Sequence, residues 1–135
     1  MTLSARTTAV FDALYQRAPT FQPVAFVDHM MDQVVYLSTN DSYRAQRVDE
    51  YLTLFWEAHS PQIVGVKVKG FRTFFERCKE VGLLEESQYL PLCSMIGEIL
   101  KTVVDDASDD RARMYKFAEE AVGDYKLDMK TALAA

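Results

Sequence analysis

The sequence predicts an all-α fold, a single-domain bundle of five to six helices covering residues 1–135, and three observations carry that reading. Apolar residues recur at steps of three and four along most of the chain, the spacing of one helical face. Five glycines and four prolines among 135 residues suit long helices with short connections. The β-branched run Ile63–Lys69 reads as helix or strand, but no second strand candidate exists to pair with it, and a lone strand is not viable.

Leu3, Thr7, Val10, Phe11, Leu14 and Ala18 form the first stripe, which Pro19 ends. Pro23 then suits the first turn of a second helix. There Val24, Val27, Met31, Val34 and Val35 make one apolar row, and Phe26, Met30 and Leu37 another. A narrow polar strip of Asp28, His29, Asp32 and Tyr36 is left between them. The run Ser38-Thr39-Asn40-Asp41 breaks the pattern and offers caps.

A third helix over 42–59 places Val48, Tyr51, Leu52, Phe55 and His59 on one side. Ser60-Pro61 looks like an N-cap with proline at the first helical position. The fourth helix is read through Val64, Val68, Phe71, Phe75 and Cys78, with Gly70 as a kink and Gly82 as its end. A fifth buries Tyr89, Leu92, Cys93, Ile96, Ile99, Leu100 and Val103. The last is capped by Ser108 and repeats Tyr115, Ala118, Val122, Tyr125, Met129 and Ala132, with Gly123 in its interior.

Composition narrows the functional classes. Hydrophobic residues are 49% and charged residues 26%, so the chain should fold. A net charge of −5 opposes general binding to phosphate backbones, which makes nucleic acid an unlikely partner. No apolar run reaches the roughly 18 residues of a membrane span, and residues 1–20 lack the apolar stretch of a signal peptide. Cys78 and Cys93 have no CxxC spacing and fall on apolar stripes, as reduced buried thiols do. A cytoplasmic protein is expected.

Chemistry-bearing constellations are sparse. The two histidines, His29 and His59, have no HExxH or Cys/His cluster around them and no Glu three residues before, so neither a metal nor another cofactor is expected. Haem ligation of globin type would want a histidine after His59, and there is none. No GxSxG elbow and no phosphate-binding glycine loop occurs. Arg77 and Lys79 flank Cys78, but its stripe position turns the thiol inward.

The strongest signal is a local reversal of charge. Residues 61–82 carry a net +3, against −3 for residues 1–60 and −5 for residues 83–135. Opposite potentials steer encounter. The expected function is a non-catalytic protein–protein interaction module, a regulator, adaptor or inhibitor. Lys67, Lys69, Arg72 and Lys79 would meet an acidic protein surface or a second copy, as in a homodimer. The alternative is a small-molecule sensor or small enzyme with a pocket at Asp28, His29, Asp32 and Tyr36, the best acid–base candidates.

The ending Leu133-Ala134-Ala135 resembles the short tail by which bacterial energy-dependent proteases recognise substrates, which implies regulated turnover. Blocking these residues is expected to lengthen the cellular half-life in a pulse-chase experiment. An unchanged half-life removes the idea.

Overall fold

The computed structural model describes residues 21–86, 88–106 and 109–130, and it overturns the all-helical expectation. Among the described residues the strands are β1 (Val24–Asp28), β2 (Gln33–Leu37), β3 (Tyr43–Arg47), β4 (Leu52–Glu57), β5 (Ile63–Lys69), β6 (Tyr89–Pro91) and β7 (Lys126–Asp128). The helices are α1 (Phe71–Glu80), α2 (Leu92–Val103) and α3 (Asp110–Val122). Five strands form one antiparallel sheet in the order β1-β2-β5-β4-β3, and β6 pairs antiparallel with β7. The fold is mixed α/β, not a helical bundle.

The two strongest apolar stripes of the first half are hairpins. The segment read as a second helix is β1–β2, with Phe26 opposite Val35 and Asp28 opposite Gln33. The segment read as a third helix is β3–β4, with Ala45 opposite Phe55. The cause is burial on both faces. In β2, Val34 and Tyr36 are buried on one side and Val35 on the other. A strand covered on both faces carries a near-continuous apolar run, and such a run also satisfies three-and-four spacing.

The ambiguous segment 63–69 is therefore a central strand, between β2 and β4. Its partners were the residues assigned to helices, so the argument from a missing mate fails. Ser60 and Pro61 lie in the β4–β5 turn rather than at a helix start. Gly70 is not a kink: at φ 78° it is the hinge where β5 becomes α1, in a backbone region that favours glycine. The last helix stops at Val122, with Gly123 as its cap, so Tyr125 and Met129 leave the seam. Its first cap is Asp109, whose carboxylate accepts from Arg111 N at 2.8 Å. The expected helix over 3–18, the Ser108 cap and the 133–135 tail lie outside the described residues.

The helices pack on one face of the large sheet. Val34, Leu54, Val66 and Val68 meet Phe71, Phe74, Cys78, Ile96, Ile99, Tyr115 and Ala118 in one buried cluster. Val35, Phe55 and Val64 form a second cluster on the other face. Strand alternation alone would send Val64 to the same side as Val66. A register shift at Phe55/Trp56 lets it join Phe55 instead. Gly65 lies between Leu37 and Phe55. A Cβ there would sit 2.9 Å from Leu37 Cδ2 and 3.0 Å from Phe55 Cδ2, and would run into the Tyr36 carbonyl oxygen.

One polar network ties α3 to the β3–β4 turn. Asp49 closes that turn by accepting from Tyr51 N at 2.8 Å and Leu52 N at 2.9 Å. The same carboxylate accepts from the fully buried Tyr115 hydroxyl at 2.8 Å. Burial, then the bond to Asp49, pushes the Tyr115 phenol well above its ordinary pKa. Burial also raises Tyr36, whose ring meets Tyr125 edge-on at 5.3 Å.

A raised phenol pKa leaves stability intact below the unfolded value of 10.0 and removes it as pH climbs toward the folded value. Tyr115→Phe is expected to lower stability at neutral pH by about 1 kcal/mol through the lost hydrogen bond. Above pH 10.0 the same variant should lose stability less steeply than the parent, by about 1.4 kcal/mol per pH unit. Urea unfolding between pH 7 and 11 checks both signs.

Candidate partner-binding groove

Where β5 runs into α1, the helix begins without a side-chain cap of its own. The first N–H groups of any helix need partners. Here they are supplied across the fold, from the β1–β2 loop. The carbonyl oxygen of Asp32 accepts from Gly70 N at 2.9 Å and Phe71 N at 3.1 Å. Its carboxylate accepts from Arg72 N at 2.9 Å and lies 4.0 Å from Arg72 Nε. A carboxylate at this end also complements the helix dipole. Asp32 takes a left-handed backbone, φ 51°, to make both contacts.

At the other end of the same loop, the Asp28 carboxylate accepts from Met30 N and Met31 N, each at 3.1 Å. The loop is thereby folded into a turn that displays its methionines: Met30 is 97% exposed and Met31 61%. His29 comes alongside α1. With Phe71, Arg72, Phe75, Glu76 and Lys79 it lines a groove of about 500 Å³. Lys79 lies 5.5 Å from the Phe75 ring centroid, close enough for a cation–π contact, and 3.8 Å from Glu76. Two aromatic rings, two cations and the Glu76 carboxylate thus line the groove with His29.

The sequence-predicted residues are distributed as follows. His29, Arg72 and Lys79 meet at the groove, which joins the expected pocket to part of the expected basic surface. Asp28 and Asp32 stand in the same loop, with their carboxylates bonded to backbone N–H groups. Tyr36 lies in the core on β2. Lys67 and Lys69 stand on β5, opposite Val35 and Gln33, on the sheet face away from the helices.

Cys78 is fully buried, and burial reinforced by the negative Glu98 pushes its thiol up to about 11. It is poorly suited to act as a nucleophile. Glu98, itself buried, is held by Lys101 at 3.1 Å and Arg77 at 3.5 Å. Among the described residues no three His, Cys, Asp or Glu side chains converge to hold a metal ion, and no helix is long and apolar enough to cross a membrane.

Sequence reasoning counted Met30 and Met31 among residues able to face a partner, but set them in the apolar rows of a helix and overlooked the turn that displays them. It also overlooked a cleft of about 310 Å³ where Trp56, Pro61 and Ile63 meet Phe117 and Glu120 of α3. Each ring there carries an arginine: Arg44 over Trp56 and Arg113 over Phe117, both at 5.7 Å. The signal available was a tryptophan within a few residues of a proline in an acidic chain, which says nothing of its distant partner.

Comparison with protein-family models, curated proteins and solved structures gives no match to this chain. The structure itself defines the class: a five-stranded antiparallel sheet backed by helices, with a groove lined by aromatic and charged side chains.

Asp32→Ala is expected to destabilise the fold by about 1 kcal/mol, the usual cost of a lost cap, with added strain because alanine tolerates the left-handed backbone poorly. Asp32→Asn keeps an acceptor and a residue type suited to that backbone, so it should recover most of the loss. Urea midpoints for the two variants distinguish capping from a charge effect.

Proposed function

We propose that this protein is a non-catalytic protein-interaction module, a regulator, adaptor or inhibitor, that docks an acidic protein surface at the His29 groove. The meeting of His29, Arg72 and Lys79 over Phe71 and Phe75, on a loop that also displays Met30 and Met31, carries this reading. Interfaces are enriched in Met, Arg and aromatic residues, and methionine adapts its shape to a partner at low cost. Arg72 and Lys79 keep 72% and 51% of their side-chain surface in solvent alongside their pairings with Asp32 and Glu76, so a partner's carboxylates can still reach both. They stand in a chain of net charge −5, and a basic groove on an acidic body orients an acidic partner toward one face.

The buried thiol and the backbone-bonded carboxylates of Asp28 and Asp32 favour binding over catalysis. The reading places the protein in the cytoplasm, where Cys78 and Cys93 stay as free thiols.

The test compares capture of a stoichiometric partner from native lysate by the tagged parent and by Arg72→Glu/Lys79→Glu. Both substitutions are on the surface, so stability should shift by no more than about 0.5 kcal/mol. Capture is expected to fall about tenfold or more, as it would for a loss of ~1.4 kcal/mol. Lys116→Glu, on α3, should leave capture unchanged. Equal capture by parent and double variant removes the acidic-partner reading. Recovery of the chain bound to itself alone makes a second copy the occupant instead.

A further inference from the structure

The two edges of the large sheet are finished differently. At one edge β1 is blocked in its middle, where the N–H of Ala25 donates to the Tyr125 hydroxyl at 2.9 Å. At the other edge β3 is bare. Every residue from Tyr43 to Arg47 is exposed, and among the described residues no strand lies beyond it. The outward groups follow from the ladder. Beside the two ends of β3, the Ser42 carbonyl oxygen accepts from Ala58 N at 3.3 Å, and Val48 N donates to the Leu52 carbonyl oxygen at 2.9 Å. Antiparallel bonding alternates residue by residue, so Arg44 and Gln46 also turn their backbone groups toward β4. Tyr43, Ala45 and Arg47 turn theirs away, and each offers an N–H and a C=O along the open edge. Such an edge is a template for one more strand.

The side chains of β3 select the occupant. Arg44 stands on the helix side of the sheet, 5.7 Å from the Trp56 ring centroid. Arg47 shares the opposite face with Tyr43, whose ring lies 4.5 Å from that of Phe55. Its Nε donates to the Asp49 carbonyl oxygen at 3.2 Å. A guanidinium carries several N–H donors, so both arginines keep capacity for a carboxylate. The same charges act against a second copy, which would bring its own Arg44 and Arg47 to this short edge. Like charges across a ladder are destabilising, and opposite charges are favourable.

We propose that β3 is a docking strand for an extended acidic segment of a partner protein, which adds to the open edge with carboxylates three residues apart. Side chains three apart on a strand point to opposite faces, so one carboxylate meets Arg44 and the other meets Arg47. Main-chain hydrogen bonds to Tyr43, Ala45 and Arg47 hold the segment, and the two arginines make it an acidic one. No residue of the His29 groove takes part, so failure of this proposal leaves the groove reading standing.

The test uses the full chain and the peptide acetyl-Thr-Glu-Thr-Val-Glu-Val-Thr-amide. At saturating peptide, amide hydrogen exchange read by NMR is expected to slow about tenfold or more at Tyr43, Ala45 and Arg47. Arg44 and Gln46, already bonded to β4, should keep their rates. Ala45→Pro removes the central N–H at an edge position that tolerates proline, and should abolish the protection while the far-UV circular dichroism stays unchanged. Arg44→Glu/Arg47→Glu should turn the preference to the same peptide with lysine in place of both glutamates. Absence of alternating protection, protection that survives Ala45→Pro, or equal affinity of the parent for the acidic and lysine peptides overturns the proposal. Alternating protection that grows with protein concentration in the absence of peptide makes a second copy the occupant and overturns it as well.

Discussion

The contact on which the candidate groove depends is the one between Asp32 and the first N–H groups of α1. A central strand turns directly into a helix at Gly70, and the new helix has no cap within reach of its own sequence. The β1–β2 loop supplies it from forty residues upstream, with both the backbone and the side chain of one aspartate. That single tie fixes the loop against α1. It brings His29 to the groove that Phe75 and Arg72 line, on a loop whose methionines are exposed. Cap and groove are one construction: loosening the first displaces the second.

A second tie holds the opposite part of the sheet. Asp49 closes the β3–β4 turn with two backbone hydrogen bonds and also receives the Tyr115 hydroxyl from α3. Arg111 of α3 pairs with Asp109 at 2.9 Å and lies 3.9 Å from Asp49. Burying a polar group costs free energy unless it finds a partner. Here the buried phenol and the carboxylate satisfy each other while apolar side chains fill the rest of the interface. The two ties share one feature: an aspartate in a hairpin turn bonds to a helix in the other layer.

The carboxylates nearest the histidine are bonded to backbone amides, and the buried thiol has its pKa raised. What stays accessible is surface suited to contact: methionines on a stiff turn, two cations and two aromatic rings.

By itself, the sequence determined the α2 helix, the part of the fourth expected helix beyond Gly70, the burial of Cys78 and the reversal of charge around residues 61–82. Each rests on a local pattern: a one-sided apolar stripe, or charges close together in the chain. It also marked His29, Arg72 and Lys79, though as members of separate sites. Tertiary structure decided the rest. Val34, Val35 and Tyr36 read equally well as helix or strand, because a strand buried on both faces loses the alternation that would identify it. The pairing of β2 with β5 is non-local, so the lone-strand argument against residues 63–69 had no access to the evidence that defeats it. The groove exists because Asp32 bonds to Arg72 across forty residues, and that closure is a property of the folded chain alone.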